Sequence, residues 1–244
     1  MNARARAALV GALAGSLYGC ATTTPALFEP RAAAPNEAHL TAGGAALVPL
    51  QPVTDPDGVG HVIKPGMGSV VRATFGLGGR TEATLRYGGR DLGLGVRWNA
   101  LEQRTEQAGV LGLLLGIEAR GRLAVRPDDS VVHRDDARGY GATVPIAVTF
   151  QSDAGLVTAW GAVQLGVERI AGPFQADASS TPLELRLIRG FVVGQIGIGI
   201  GFRRVRVLAE MGIERDWVNG TLGGNDRSFA VTSLAPAFAI AIRL

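Results

Sequence analysis

The sequence predicts an all-β protein, an antiparallel up-and-down transmembrane β-barrel of about ten strands, with eight as the lower bound. Two observations support this prediction. Residues 38–244 form segments in which apolar side chains occupy every second position, separated by clusters of Gly, Asp, Pro and Asn, which is the pattern of strands and turns. Most segments also have the roughly 9 to 11 residues that a tilted strand needs to cross hydrocarbon, whereas strands in soluble sheets have about 5 or 6.

The alternation is clear in most of the predicted strands. In the fourth, Leu92 and Leu94 share one face while Asp91 and Gly93 share the other. In the eighth, the phase shifts near Arg189, which predicts a β-bulge. A soluble β-sandwich remains the alternative, although its strands are usually shorter. The ten predicted strands are 38–48, 67–75, 81–87, 90–98, 109–119, 142–150, 156–169, 183–201, 203–217 and 228–244.

Aromatic residues follow the arrangement expected of a membrane barrel, because amphipathic rings favour the two membrane–water interfaces. Tyr87 and Trp217 lie near the ends of the third and ninth strands and predict one aromatic girdle. Four other rings lie at the ends of even-numbered strands and predict the opposite girdle: Phe75, Trp98, Phe150 and Phe202.

The first residues have the layout of a secretory signal. Arg4 and Arg6 precede an apolar, uncharged run from Ala7 to Gly19, which is too short to span a bilayer permanently. Because Pro, Thr and Ala dominate the residues that follow, with no apolar period, they read as a flexible linker. The predicted division is therefore 1–19 signal peptide, 20–37 lipidated Cys and linker, and 38–244 barrel.

The end of the predicted signal peptide carries a more specific motif. Leu17-Tyr18-Gly19-Cys20 resembles the lipobox of bacterial lipoproteins, in which the chain is cleaved before the Cys and the sulfur receives diacylglycerol. Cys20 is the only cysteine, so an internal disulfide is excluded. The resemblance implies a lipid anchor at Cys20, and Ala21, where an Asp would favour retention in the inner membrane, implies the outer membrane.

Connection lengths predict the topology. Outer-membrane barrels have long extracellular loops and short periplasmic turns. If the anchored start is periplasmic, the first strand runs outward and the inner connections are 76–80, 99–108, 151–155 and a tight turn near 202. The outer connections are then 49–66, 88–89, 120–141, 170–182 and 218–227, of which all but 88–89 are long.

The segment Phe75-Gly76-Leu77-Gly78-Gly79-Arg80-Thr81-Glu82-Ala83-Thr84-Leu85-Arg86-Tyr87 resembles the inner hairpins of bacterial outer-membrane β-barrel proteins of the porin-like superfamily. The resemblance extends loosely over 38–244. It implies location in the cell outer membrane and contact with membrane lipid, lipopolysaccharide and the outer-membrane assembly machinery. The chain departs from that pattern at its end, where Leu244 replaces the usual terminal aromatic residue.

The polar faces of the strands predict a mixed-charge interior. Since a barrel of this size has room for side chains and little else, the arginines and carboxylates should pair across the lumen. We expect a satisfied polar core in preference to a conducting pore. The predicted lumen residues are Arg72, Glu82, Arg86, Asp91, Arg97, Glu118, Gln164, Glu168, Arg204, Arg206, Glu210, Glu214 and Arg243, with Glu184 and Arg186 as further candidates.

Other function classes find little support. Removing Arg4 and Arg6 from 24 basic residues leaves 22 against 21 acidic ones, and no basic run supports nucleic-acid binding. No Ser/His or Asp-x-His arrangement indicates an enzyme, and no motif indicates a cofactor or a metal. We therefore expect a structural or surface-interaction barrel, with a narrow channel for small solutes or ions as the alternative. A soluble periplasmic β-domain tethered by lipid is the second alternative.

Overall fold

The structure is a computed structural model that describes residues 33–50, 53–54, 60–61, 66–88, 91–105, 109–122, 134–135, 137–175, 181–202 and 204–244. Cys20 and the signal peptide lie outside the described residues. Ten long strands are present: β1 (Ala38–Pro49), β2 (Gly66–Gly78), β3 (Thr81–Gly88), β4 (Asp91–Thr105), β5 (Gly109–Arg122), β6 (Arg138–Gln151), β7 (Val157–Gln175), β8 (Leu183–Phe202), β9 (Val205–Leu222) and β10 (Asn225–Arg243). Val53–Thr54 pairs with Gly60–His61, and Arg134–Asp135 pairs with the end of β7.

The ten strands close into a barrel, which confirms the predicted fold class. Each strand pairs antiparallel with the next, and β10 pairs with β1. A path of paired residues that leaves β7 at Thr158 and passes once around the barrel returns to β7 at Ile170, twelve positions further along. Such a stagger requires strands that tilt strongly against the barrel axis. No helix in the described part of the chain is long and apolar enough to cross a membrane.

The outward wall is apolar. Ile196, Ile200 and Phe202 on β8 are 69%, 60% and 67% exposed, and every strand contributes Leu, Ile, Val, Ala, Met or aromatic side chains to the same belt. Soluble monomers rarely expose contiguous apolar patches beyond a few hundred Å². Because the belt runs around all ten strands, it is the lipid-facing surface of a transmembrane barrel.

Aromatic side chains edge the belt at both ends. At the turn end, where 79–80, 106–108, 152–156 and 203–204 connect the strands, Phe75, Trp98 and Phe202 are exposed on the wall, and Phe150 is half-buried. At the loop end, formed by 50–65, 89–90, 123–137, 176–182 and 223–224, Tyr87 and Trp217 are exposed, as is Tyr140, which the sequence argument omitted.

The wall is taller on one side than on the other. Strands β7 to β10 have 18 to 20 residues, whereas β3 has 8. The prediction of a long connection at 218–227 is wrong, because pairing continues to Leu222 and Asn225. Gly223 and Gly224 alone form the turn, with φ of 56° and 79°. A two-residue hairpin turn with positive φ at both positions favours glycine at each.

Above the apolar belt the two faces of the tall strands exchange character. On β8, Leu185 and Leu187 are buried inside, while Glu184 and Arg186 are exposed outside. We name residues 169–175, 183–187, 218–222 and 225–231 the loop-end extension. Its interior is an apolar cluster, to which Leu47 of β1, Ala235 of β10 and Ala137 also contribute. The cluster consists of Leu47, Ala137, Ile170, Phe174, Leu185, Leu187, Val218, Leu222, Val231 and Ala235.

This exchange corrects the bulge predicted near Arg189. Strand β8 pairs without interruption with both neighbours through Arg189 and Gly190. The backbone alternation therefore keeps one phase, and the apparent shift in the sequence arises because the strand passes from the apolar belt into the loop-end extension. Glu184 and Arg186 consequently lie outside the lumen, in contrast to the sequence expectation.

Candidate functional site

Two ion pairs link β3, β4 and β5 in the interior of the barrel. Glu82, which is fully buried on β3, binds Arg97 of β4 with a nitrogen–oxygen distance of 2.5 Å. Arg86 on β3 binds Glu118 of β5 through two of its nitrogens, Nη2 at 2.7 Å and Nε at 3.0 Å. Since alternate residues of a strand share a face, one strand supplies the acid of one pair and the base of the other. Both charges of each pair are thereby compensated in a region without bulk water.

A second ionic cluster surrounds Arg189 nearer the loop end. The guanidinium of Arg189 contacts Glu214 at 2.5 Å, Asp216 at 2.7 Å and Glu168 at 3.3 Å, and all four side chains are buried. The guanidinium carbon of Arg189 also lies 4.9 Å from the ring centroid of Phe191. One cation thus links carboxylates from β7 and β9, the two strands that flank its own.

A second arginine also contacts the Phe191 ring. Arg120 of β5 binds Asp91 of β4 at 2.6 Å and lies 5.2 Å from the centroid of the Phe191 ring. The Phe191 ring is therefore within cation–π distance of both the Arg120 and the Arg189 guanidinium groups, each of which is attracted to the aromatic ring. The lumen of the loop-end half is thus bridged from β4 and β5 to β8.

Neutral side chains complete the filling between the ionic groups. The Gln164 amide nitrogen donates to the Gln195 amide oxygen at 2.6 Å, and the Trp160 indole donates to Glu210 at 2.8 Å. Trp160 requires glycine opposite it, because a Cβ at Gly197 would lie 2.1 Å from the indole ring. This close approach accounts for Gly197 in the alternating Ile-Gly pattern of β8.

Little space remains between the described side chains at mid-height. The cavity between Arg72, Arg97, Glu118 and Gln164 measures about 10 Å³. A cavity needs roughly 10–15 Å³ to hold a single water molecule. Leu114 of β5 is also buried in the interior.

The structure places ten of the thirteen predicted lumen residues in the buried interior: Arg72, Glu82, Arg86, Asp91, Arg97, Glu118, Gln164, Glu168, Glu210 and Glu214. Arg206 and Arg243 lie at the mouth of the turn end. The prediction that Arg204 faces the lumen is wrong, because Arg204 lies in the exposed turn between β8 and β9. The interior also contains Arg120, Arg122, Arg189, Gln195 and Asp216, which the sequence argument missed although each continues the alternation of its strand.

The segment before β1 enters the turn-end mouth. Residues 33–37, which the sequence assigns to the linker, pack against the barrel, and the Ala33 N–H donates to the buried Glu82 at 2.9 Å. Gly76 permits the approach, because a Cβ there would lie 1.9 Å from the Ala34 carbonyl oxygen. Beside this segment is a cavity of about 260 Å³, bordered by Glu37, Arg243 and other polar side chains.

Glu37 holds this segment to the last strand by an ion pair with Arg243. Partial burial raises the pKa of the Glu37 carboxyl, but hydrogen bonds from Arg243 and from the Ala34 N–H outweigh that effect and leave the pKa below its usual value. His39, the one histidine whose side chain is described, lies 3.5 Å from Glu37. In the described part of the chain, no group of three His, Cys, Asp or Glu side chains is arranged to hold a metal ion.

No protein-family model matches the sequence, and no curated protein sequence matches it. Among solved structures, the chain is similar to the outer membrane protein OprG from Pseudomonas aeruginosa, with 9% identity, a TM-score of 0.41, and coverage of 88% of this chain and 99% of that one. Ail, the attachment invasion locus protein of Yersinia pestis, is 10% identical, with a TM-score of 0.35 and coverage of 86% of this chain and 99% of that one. The outer membrane protease OmpT from Escherichia coli is 9% identical, with a TM-score of 0.37 and coverage of 85% of this chain and 96% of that one. Values this low carry no information about ligand or activity.

Proposed function

We propose that this protein is a non-conducting outer-membrane β-barrel with a structural or surface-interaction role and without catalytic activity. The filled interior is the observation that supports the proposal. At mid-height the ion pairs of Arg86 and Arg97 leave a cavity of about 10 Å³, room for about one water molecule. A hydrated ion or solute cannot pass such a layer of described side chains without breaking buried ion pairs, which is costly.

The proposed location follows from the outward wall and the connections. Proteins that cross a membrane with β-strands form closed barrels with an apolar belt and aromatic edges. Outer-membrane barrels also combine long external loops with short periplasmic turns. We assign the turn end, where β1 begins, to the periplasm, and Cys20 to a lipid anchor there. The partners in this assignment are membrane lipid, lipopolysaccharide and the outer-membrane assembly machinery.

The surface-interaction role is supported by the loop-end extension. It carries four strands beyond the apolar belt, with polar groups such as Glu184 and Arg186 outside and apolar groups such as Leu187 inside. That distribution is the one of a water-soluble domain, so the extension is built to stand in water. A rigid, water-exposed rim suits contact with molecules outside the cell.

Conductance measurements test the proposal against a narrow channel. Refolded protein in planar bilayers should show no reproducible single-channel openings. The matched control replaces both members of two ion pairs by serine, Glu82→Ser with Arg97→Ser and Arg86→Ser with Glu118→Ser. This variant keeps the net charge, removes both members of each of the two pairs and widens the mid-height layer, so it should conduct and thereby prove that the assay detects inserted barrels. Regular openings of the unaltered protein would establish the channel instead.

Membrane extraction tests the barrel against a lipid-tethered soluble domain. A Cys20→Ser variant exported with a standard cleavable signal lacks the anchor. Its apolar belt should keep it in the membrane fraction after alkaline carbonate and urea washing, and its folded form should migrate differently from the boiled form in gels. Release of the variant into the soluble fraction would contradict membrane insertion, whatever the conductance experiment shows.

A further inference from the structure

Three arginines meet on the outward wall at the loop end. Arg138 of β6 and Arg186 of β8 are both paired with Ala171 of β7, one on each side, and Arg169 lies two positions before Ala171 on the same strand. Alternation places all three side chains on the outer face, and all three are exposed. We name these three residues the arginine cluster.

The spacing allows the three guanidinium groups to converge. Directly paired residues in antiparallel strands lie about 5 Å apart, and diagonal neighbours about 7–8 Å apart, which is within reach of long side chains. Arg169 is diagonal to both Arg138 and Arg186. One carboxylate is close by, because Glu184 binds Arg186 at 2.7 Å. Among the described residues, no ion pair involves Arg138 or Arg169, so the cluster carries excess positive charge.

The position of the arginine cluster along the barrel wall identifies the part of the membrane that it faces. Arg169 is paired with Tyr140 and with Ile188, both strongly exposed, and Val167 below them belongs to the apolar belt. The arginines thus lie where the hydrocarbon ends and headgroups begin. The other side of the barrel differs, since the outward residues at the same end of β1 and β2 include Val48, Met67 and Ser69.

We propose that the arginine cluster binds the phosphate groups of a phosphorylated glycolipid in the outer leaflet, of the lipopolysaccharide class. Guanidinium forks match phosphate oxygens in geometry and charge and form the stronger class of hydrogen bond. The lipid's acyl chains would then lie along the apolar wall below Val167 and Ile188. This inference rests on the proposed location in the outer membrane with the loop end outside.

Lipid retention tests the site. The protein is reconstituted in phosphatidylcholine vesicles containing diphosphoryl lipid A, re-extracted in mild detergent, and analysed by native mass spectrometry for bound lipid. The test variant combines Arg138→Gln, Arg169→Gln and Arg186→Gln. The control variant combines Arg104→Gln and Arg204→Gln, which removes exposed arginines at the turn end. Heat-modifiable gel migration shows that each variant is folded, and Arg169→Gln alone serves if the triple variant does not fold.

The unaltered protein and the control should retain lipid A, and the triple variant should retain at least tenfold less. Lipid A stripped of its phosphates should not be retained by any form. Equal retention by the triple variant, or by the stripped lipid, would overturn the site. Displacement by inorganic phosphate at the same concentration as lipid A would show a free-phosphate site and overturn the lipid assignment. None of these outcomes bears on insertion or conductance, so the site can fail while the proposed function stands.

Discussion

Strands β7 to β10 run through both the membrane-embedded barrel and the loop-end extension, and their side chains follow opposite rules in the two regions. In the barrel, Ile196 and Ile213 face outward while Arg189 and Glu214 face inward. In the extension, apolar groups face inward and polar groups face outward. Because the pairing of β8 with its neighbours is continuous, the backbone plays no part in the exchange.

The solvent outside the wall therefore determines which face of each strand is apolar and which is polar. Hydrocarbon favours an apolar exterior, so polar side chains are confined to the lumen, where each must find a partner. Water reverses the preference, and the lumen of the extension becomes a hydrophobic core. The two regions should therefore respond in opposite ways to the same kind of substitution.

The largest expected effect is the loss of the central cation of the barrel lumen. Arg189→Met leaves three buried carboxylates around an apolar side chain. Breaking a buried ionic network by removing one partner costs about 3–5 kcal/mol. Urea unfolding in micelles or vesicles measures the loss. Adding Glu214→Gln and Asp216→Asn to Arg189→Met should recover part of it, since fewer unpaired charges remain.

The matched control for this substitution lies three residues away on the same strand. Arg186→Met removes an arginine whose side chain is 65% exposed outside the extension, and exposed ion pairs contribute about 0–1 kcal/mol. If Arg189→Met proved as harmless as Arg186→Met, the lumen network would not stabilise the fold, and the contrast between the two regions would be lost.

The next effect concerns the core of the extension. Leu187→Ala removes a side chain that is 1% exposed, and such large-to-small changes cost about 2–5 kcal/mol. Ile188→Ala, its neighbour on the lipid-facing side, is 57% exposed and should cost less than half as much. Urea unfolding again provides the measurement. Equal costs for the two substitutions would indicate that the extension has no packed apolar interior.

The barrel itself was predictable because membrane spans impose strict alternation. Every predicted strand is present, and the apolar faces of β4 and β9 were assigned correctly. The sequence could not reveal that β8 leaves the membrane, since a change of solvent and a β-bulge both appear as a phase shift near Arg189. That ambiguity hid Arg189 from the predicted lumen set and placed Glu184 and Arg186 inside. The partners in each ion pair could not be predicted from the sequence either, because the strand register determines which of several arginines meets each carboxylate.

A moderate effect is expected where a ring meets a glycine in the barrel lumen. Gly197→Ala adds a Cβ that would lie 2.1 Å from the Trp160 indole, so the ring must move and disturb its bond to Glu210. Overpacking of this kind costs about 1–3 kcal/mol. Gly194→Ala on the same strand is the control, because its Cβ meets no atom within 4 Å. Intrinsic Trp fluorescence should shift for Gly197→Ala and remain unchanged for Gly194→Ala.

The smallest effect concerns the segment that enters the turn-end mouth. The pKa of Glu37 is lowered in the folded protein, so its ionised form is stabilised by folding. That contribution is fully present above the unfolded pKa of about 4.3 and is lost as the pH falls through the folded value. Because the Arg243 partner is 49% exposed, the contribution is at most about 1 kcal/mol. Glu37→Gln should therefore lower the unfolding free energy slightly at pH 7, and this difference should shrink as the pH falls through the pKa of the folded protein. A difference from the unaltered protein that stayed constant as the pH was lowered would mean that Glu37 acts through packing and not through its charge.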